Sequence, residues 1–274
     1  MPPQLALDDV GTGDPLVLVH GIATDRSIWD LVVGELARGR RVITLDVPGF
    51  GDSEPAGEEF DLREVAGQIV AGLADEGISG PFDLVGHSLG GGISIVLAAT
   101  HPQLVRRLVL VAPAGLRPFP AAVSNLLAAS ADAVLAARRG AAPLADTWWG
   151  RRLLLALTAA DAADLPPTLA RQMIEASAAA KRTAPALATI TSADLRFTLA
   201  HTQMPLGVIW GEADRTVPIR ALDDLLQARP DAEVLRISDA GHVPMIERPD
   251  EFVAALQTLI QDVTTSKAER SIFR

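Results

Sequence analysis

Residues 82–92 read Phe-Asp-Leu-Val-Gly-His-Ser-Leu-Gly-Gly-Gly, a short apolar run that leads into a glycine-rich turn. The spacing Gly86-x-Ser88-x-Gly90 predicts a sharp turn from a strand into a helix, because a Cβ at either glycine would clash where the chain reverses. Ser88 would then project its hydroxyl near the positive end of the following helix. This is a position for a nucleophile. The pattern alone also fits an ordinary glycine-rich turn, so the rest of the chain must supply a base and an acid.

Strand-like and helix-like segments alternate on both sides of this turn. Helical spacing of apolar residues predicts helices between the strands, and Asp61 is placed to cap one of them. The alternation predicts an α/β fold with a doubly wound, mostly parallel sheet. The apolar runs typical of strands buried on both faces are residues 16–20, 41–46, 82–85, 105–111, 206–210 and 234–237.

The alternation stops between residues 116 and 200, where alanine-rich helical segments are broken at prolines and glycines. We therefore predict a core domain made of residues 1–115 and 201–274, with an all-helical cap of residues 116–200 inserted over one edge of the sheet. Residues 264–274 are polar apart from two positions and are predicted to form a loosely ordered tail.

Composition excludes several classes of partner and chemistry. A net charge of −10 disfavours nucleic acid and anionic membranes, which require a basic face. The absence of cysteine excludes disulfides, a cysteine nucleophile and thiolate metal sites. No histidine pair has metal-binding spacing and no dinucleotide fingerprint is complete, so we expect no metal and no cofactor. The chain shows no signal-like segment and no apolar run of transmembrane length, which favours a cytoplasmic protein.

Polar residues that can assist Ser88 follow other predicted strands. Catalytic groups in open α/β sheets gather at the carboxyl ends of the strands. Asp214 follows the strand that ends near residue 210, and His242 follows the last strand. The chain order Ser, Asp, His is one of the known orders of a serine–base–acid relay. The serine needs an imidazole to take its proton, and the imidazole needs a carboxylate to hold its tautomer.

Two further requirements leave alternatives open. The developing oxyanion needs oriented donors, and the backbone N–H groups of Ile22 and Leu89 are the candidates. The acid has rivals besides Asp214, all of them near the same predicted strand ends: Glu212, Asp239 and Glu247.

The chain contains five distinctive segments: His20-Gly21, Asp-Val-Pro-Gly-Phe-Gly-Asp-Ser at 46–53, Gly-His-Ser-Leu-Gly at 86–90, Gly-Glu-Ala-Asp at 211–214 and Gly241-His242. Together they make the chain resemble an α/β-hydrolase. The resemblance covers nearly the whole chain outside the helical insert, and it implies the α/β-hydrolase fold. It also implies a catalytic triad of Ser88, His242 and Asp214, with an oxyanion hole formed by Ile22 and Leu89. A serine nucleophile separates the chain from relatives that use aspartate, the haloalkane dehalogenases and epoxide hydrolases.

The resulting hypothesis is a serine hydrolase that cleaves carboxylic esters of small to medium, mostly apolar substrates through an acyl-enzyme on Ser88. One alternative is a carbon–carbon bond hydrolase of vinylogous diketones, although those relatives usually carry an aromatic residue in place of Val243 and often asparagine in place of His87. A perhydrolase or haloperoxidase-like activity would use the same triad. A small-molecule receptor on the same fold is the non-enzymatic alternative. The acyl and alcohol groups, the stereochemistry and the oligomeric state, monomer or homodimer, stay open.

Large side chains in the helical insert are candidates for lining a substrate pocket, with packing inside the insert as the alternative. Among the histidines, His20 and His87 are expected to be structural, His20 by tying down the loop that carries Ile22. The candidate lining residues are Phe119, Trp148, Trp149, Met173 and Phe197.

Overall fold

The computed structural model describes residues 4–261, so the tail predicted for residues 264–274 lies outside the described part of the chain. Seven strands form one sheet: β1 Leu7–Gly11, β2 Pro15–Val19, β3 Arg41–Leu45, β4 Phe82–His87, β5 Val105–Val111, β6 Leu206–Gly211 and β7 Glu233–Ile237. Their order across the sheet is β1-β3-β2-β4-β5-β6-β7. The pairs from β3 to β7 are parallel and β1 is antiparallel to β3. The predicted fold class, a doubly wound and mostly parallel sheet, is confirmed.

The edge strand β1 is not indicated by the sequence. Its residues Leu-Asp-Asp-Val-Gly are mostly exposed, so it lacks the apolar run that marks the other strands. Antiparallel pairing with β3 holds it, and Asp9 adds an ion pair with Arg41 of β3 at 2.6 Å. Charged residues on an exposed edge also discourage pairing with another chain.

Helices cover both faces of the sheet. Asp61 caps the helix Leu62–Asp75 as predicted, accepting hydrogen bonds from the N–H groups of Arg63 and Glu64. Helical spacing predicts one helix over residues 185–199, but the structure has two, because the chain is extended at Ala193. The helices are α1 Asp30–Leu36, α2 Leu62–Asp75, α3 Leu89–Thr100, α4 Ala121–Ala141, α5 Trp148–Leu154, α6 Pro167–Ala179, α7 Thr183–Ser192, α8 Arg196–Ala200, α9 Leu222–Ala228, α10 Pro244–Glu247 and α11 Pro249–Ile260.

Two hydrophobic clusters pack on the two faces of the sheet. In β2, Val17 and Val19 belong to one cluster, whereas Leu16 and Leu18 belong to the other. All four side chains are fully buried, as a strand covered by helices on both faces requires. The continuous apolar run of this strand therefore has a direct structural cause.

Helices α4–α8 all lie between β5 and β6, in the part of the chain predicted to be a cap. The segment is closed at its base by two backbone hydrogen bonds. The N–H of Leu195 donates to the Gly115 carbonyl at 2.9 Å, and the N–H of Phe119 donates to the Thr191 carbonyl at 2.7 Å. The division into core and cap domains stays a prediction. No helix within residues 4–261 is long and apolar enough to cross a membrane.

Candidate active site

Ser88 lies in the turn between β4 and α3. Its φ of +53° places it in the left-handed region, which is uncommon for a residue other than glycine. The backbone of Ser88 is held against β5 and the loop after it. Its N–H donates to the Val111 carbonyl at 3.0 Å, and its carbonyl accepts from the N–H of Ala114 at 2.9 Å. Such strained positions cluster at functional sites, and this one is fixed by its neighbours.

Two glycines make the turn sterically feasible. A Cβ on Gly86 would lie 2.4 Å from the Gly90 carbonyl oxygen, and a Cβ on Gly90 would lie 2.3 Å from the His20 carbonyl oxygen. Both contacts are with backbone atoms, and the backbone would have to shift to relieve them. This is the clash that the Gly86-x-Ser88-x-Gly90 spacing predicts.

Asp214 and His242 are joined by a buried hydrogen bond. Nδ1 of His242 donates to Oδ2 of Asp214 at 2.7 Å, and the carboxylate is fully buried. The other oxygen, Oδ1, accepts from the backbone N–H groups of Thr216 at 2.8 Å and Val217 at 2.9 Å. The carboxylate is therefore oriented from both sides. With the proton on Nδ1, the Nε2 atom of His242 is the one available to accept a proton.

His242 lies beside the serine turn without a direct bond to Ser88. Within residues 4–261, the Ser88 hydroxyl forms no hydrogen bond with His242. The imidazole of His242 is packed against that of His87, the residue before Ser88, with ring centroids 4.7 Å apart. Catalytic hydrogen bonds are often long in enzymes without substrate and tighten when substrate binds. The structure thus brings Asp214 and His242 into contact and places His242 next to the turn.

His87 is a neutral partner of the His242 backbone. Its Nε2–H donates to the His242 carbonyl oxygen at 2.8 Å, so Nε2 carries the proton. Burial, followed by repulsion from the charge that His242 can acquire, lowers the pKa of His87 well below its ordinary value. His87 is therefore a neutral ring packed beside His242.

His20 holds the loop that carries Ile22. Its Nδ1–H donates to the Gly21 carbonyl at 2.7 Å, and its Nε2 accepts from the N–H of Val47 at 2.8 Å. Burial lowers the pKa of His20, which suits a ring with one donor and one acceptor. A Cβ on Gly21 would lie 3.1 Å from Cβ of Ser88, so this loop runs directly past the serine.

The two candidate oxyanion donors come from different elements beside Ser88. Leu89 is the first residue of α3, so its N–H has no partner within the helix. Ile22 follows Gly21 in the loop after β2 and is half-buried. Their role as donors stays a prediction.

Replacing His20 by leucine is expected to lower stability. The variant leaves the buried N–H of Val47 and the Gly21 carbonyl without their partner, at about 1–3 kcal/mol for each group left unsatisfied. Urea denaturation measures the change in the free energy of unfolding. His201→Leu is the control, because it removes only an exposed hydrogen bond to the Phe197 carbonyl, and it should change stability by at most about 1 kcal/mol. An unchanged urea midpoint for His20→Leu would contradict this role of His20.

The five residues predicted to line a substrate pocket form none of the hydrogen bonds described above for Ser88, Asp214 and His242. Phe119, Trp148, Trp149 and Phe197 are exposed, and the Phe197 ring packs against His201 with centroids 4.1 Å apart. Met173 is half-buried and packs against one of the two hydrophobic clusters. Their role in lining a pocket stays a prediction.

The rival acids have other contacts. Glu212 accepts from the Ser238 hydroxyl at 3.0 Å, and Asp239 is exposed with a φ of +54°. Glu247 accepts from backbone N–H groups, including that of Gly241 at 2.8 Å. Asp214 is therefore the carboxylate bonded to the His242 side chain. Within residues 4–261, no three His, Asp or Glu side chains are grouped to hold a metal ion.

Sequence patterns do not indicate that the helical segment contacts the loops of Asp214 and His242. The N–H of His242 donates to the Thr158 carbonyl at 2.9 Å, and the Thr216 hydroxyl donates to the Leu157 carbonyl at 2.7 Å. Backbone carbonyls make these contacts, so side-chain patterns carry no signal for them. The position of Glu247 is weakly indicated by the sequence, because Pro244 can begin a short helix. In the structure this helix, α10, turns Glu247 back toward the loop of His242.

Comparisons with known proteins agree with this architecture. The model of the alpha/beta hydrolase family matches residues 16–255. The chain is 46% identical over 118 residues to 2-hydroxymuconate semialdehyde hydrolase of Pseudomonas sp. (strain CF600), a match that covers 42% of this chain and only 41% of that protein. It is 31% identical over 257 residues to pimeloyl-[acyl-carrier protein] methyl ester esterase of Chromobacterium violaceum, covering 92% and 96% of the two chains. A thermophilic esterase from Thermogutta terrifontis has a similar structure, with a TM-score of 0.78, 24% identity and coverage of 93% and 92%. The chain belongs to the alpha/beta hydrolase family.

Proposed function

We propose that this protein is a serine hydrolase that cleaves carboxylic esters of small to medium, mostly apolar molecules. The observation that carries the proposal is the 2.7 Å hydrogen bond between His242 and Asp214, formed beside the Ser88 turn. An oriented acid–base pair next to a serine in a strained turn is the arrangement that activates a hydroxyl. The esterases among the relatives support the same reaction class.

In the first half-reaction, Oγ of Ser88 attacks the ester carbonyl while Nε2 of His242 takes the hydroxyl proton. Asp214 stabilises the imidazolium that forms. The negative charge that develops on the carbonyl oxygen is received by the N–H groups of Leu89 and Ile22. Collapse of the tetrahedral intermediate breaks the ester C–O bond, and His242 passes its proton to the departing alcohol.

In the second half-reaction, water attacks the acyl group on Ser88. His242 takes a proton from this water, and the intermediate collapses to release the carboxylic acid. The proton returns to Oγ of Ser88, so the relay ends in its starting state. Asp214 keeps the same tautomer of His242 in both halves.

We place substrate selection in residues 116–200, the proposed cap. The exposed apolar side chains there suit an uncharged acyl chain, and the candidate lining residues are Phe119, Trp148, Trp149, Met173 and Phe197. A methyl ester esterase that matches the chain over nearly its full length favours an acyl chain with a small alcohol.

A panel of p-nitrophenyl esters of graded acyl length tests this function. We expect saturable turnover with an optimum at a defined chain length, because a pocket of fixed depth discriminates by about 1–3 kcal/mol per methylene. Absence of turnover across the panel would contradict ester hydrolysis. Tight binding of an ester without product would favour the receptor alternative.

A carbon–carbon bond hydrolase is the second candidate. The observation that favours it is the 46% identity over 118 residues to a semialdehyde hydrolase. Val243 after the base and His87 before the serine disfavour it. Cleavage of a vinylogous diketone can be measured by the loss of its absorbance. We expect this cleavage to be slower than hydrolysis of the best ester of the panel. Faster cleavage of the diketone would make carbon–carbon hydrolysis the better assignment.

A further inference from the structure

We infer that Glu247 is a positioning residue whose two carboxylate oxygens join the loop of His242 to the helical segment between β5 and β6. One oxygen holds the base loop and the other holds residue 160 of the segment. The inference rests on the proposed function for its kinetic consequences, and on contacts alone for its structural ones.

The first oxygen holds the backbone on both sides of the base. Oε1 of Glu247 accepts from the N–H of Gly241 at 2.8 Å and from the N–H of Val243 at 3.3 Å. These residues flank His242 directly. A loop held at both neighbours of the base limits how far the imidazole can move from Ser88.

The second oxygen reaches the helical segment. Oε2 of Glu247 accepts from the N–H of Ala160 at 2.6 Å. The two backbones are in close contact here, because a Cβ on Gly241 would lie 2.6 Å from the Ala160 nitrogen. The N–H of His242 donates to the Thr158 carbonyl at 2.9 Å, two residues away.

The same part of the segment also holds the acid loop. The Thr216 hydroxyl donates to the Leu157 carbonyl at 2.7 Å, and the Arg215 guanidinium donates to the Ala156 carbonyl at 3.3 Å. Residues 156–160 therefore contact the loops of both Asp214 and His242. Loss of the Ala160 contact would loosen the end of this stretch, where it lies against the loop of His242.

A carboxylate is the side chain that this position requires. Three backbone N–H groups converge on it, and an ionised carboxylate is an acceptor on both oxygens. Burial raises the pKa of Glu247, while the hydrogen bonds from Ala160, Gly241 and Val243 act in the opposite direction. Two directed oxygens allow one side chain to serve two segments.

Glu247→Gln separates the two tasks. The amide oxygen keeps the bonds to Gly241 and Val243 when it lies at the Oε1 position. The amide NH₂ then faces the N–H of Ala160, and two donors cannot bond. This orientation is the better one, because the opposite orientation would lose two bonds. The variant should loosen the segment at Ala160 and leave the loop of His242 in place.

Glu247→Gln is expected to raise KM about tenfold while kcat, normalised by active-site titration, stays within about threefold. Glu247→Ala, which loses all three bonds, is expected to lower kcat by about 10–100-fold, as a misplacement of the base near 1 Å does. Glu251→Gln is the matched control. It makes the same charge change at an exposed position on α11 and should leave both constants unchanged.

Amide hydrogen exchange measured by NMR provides a readout that does not need substrate. In Glu247→Gln the amide of Ala160 should exchange faster, and that of Gly241 should stay protected. In Glu247→Ala both should exchange faster. If the wild type hydrolyses no ester, the proposed function fails, and the exchange of Ala160 and Gly241 still decides this inference.

Two results would overturn the positioning role. One is wild-type exchange at Ala160 together with wild-type KM in Glu247→Gln. The other is an unchanged normalised kcat in Glu247→Ala with only a lower Tm, which would make Glu247 a purely structural residue. If Glu247→Ala does not fold, the Glu247→Gln variant decides alone through its KM and the Ala160 exchange rate.

Discussion

Ser88→Ala is expected to reduce ester hydrolysis by about a million-fold in kcat, close to the rate left by binding and the oxyanion donors. The variant removes the nucleophilic oxygen and nothing else. Alanine accepts the φ of +53° no worse than serine does, and the turn keeps its backbone hydrogen bonds to Val111 and Ala114. Rates with the best ester of the panel and the thermal midpoint together measure the effect.

Labelling by a fluorophosphonate, followed by intact mass, tests the same residue independently. The wild type should gain one adduct and Ser88→Ala none. Ser94→Ala is a matched control, because Ser94 is a buried serine on α3 whose hydroxyl has no hydrogen-bond partner within residues 4–261. Equal labelling of wild type and Ser88→Ala would rule out Ser88 as the nucleophile.

Asp214→Asn is expected to lower kcat by about ten-thousand-fold with little loss of stability. The N–H groups of Thr216 and Val217 require an acceptor at the Oδ1 position, so the amide oxygen must take it. The amide NH₂ then faces Nδ1 of His242. Because the NH₂ group is a donor, Nδ1 must act as the acceptor and cannot carry a proton. The imidazole is forced into the tautomer with its proton on Nε2, where it cannot take the proton of Ser88.

Asp239→Asn is the control for this variant, since Asp239 is an exposed carboxylate near the same strand ends and makes no contact with the His242 ring among the described residues. It should retain wild-type kcat. A residual activity of Asp214→Asn within tenfold of wild type would show that Asp214 is not the acid of the relay.

The sequence predicts the parts of this molecule that depend on local pattern. Buried parallel strands need continuous apolar runs, which is why β2 and β5 are visible in it. The turn at Ser88 is visible because only glycine fits beside the carbonyls at its two ends. His242 and Asp214 are visible because they follow strands whose carboxyl ends share one edge of the sheet.

Other features depend on contacts between distant segments. β1 is polar and is held by the neighbouring strand, so its own residues do not mark it. In the sequence, Glu247 is only one of several carboxylates near His242. Its role depends on its backbone partners, and one of these, Ala160, lies 87 residues away in the chain. Packing between segments, and not propensity, decides such roles.

The two backbone hydrogen bonds that close the helical segment at its base bear on how such enzymes diversify. The bonds from Leu195 to Gly115 and from Phe119 to Thr191 bring the two ends of the segment together where the chain leaves β5 and returns toward β6. Because these ends are adjacent, the segment between them can change in length while the strand order stays the same. A segment of changed length must still provide the contacts that residues 156–160 make here. These are the backbone carbonyls and the single N–H that bind the loops of His242 and Asp214.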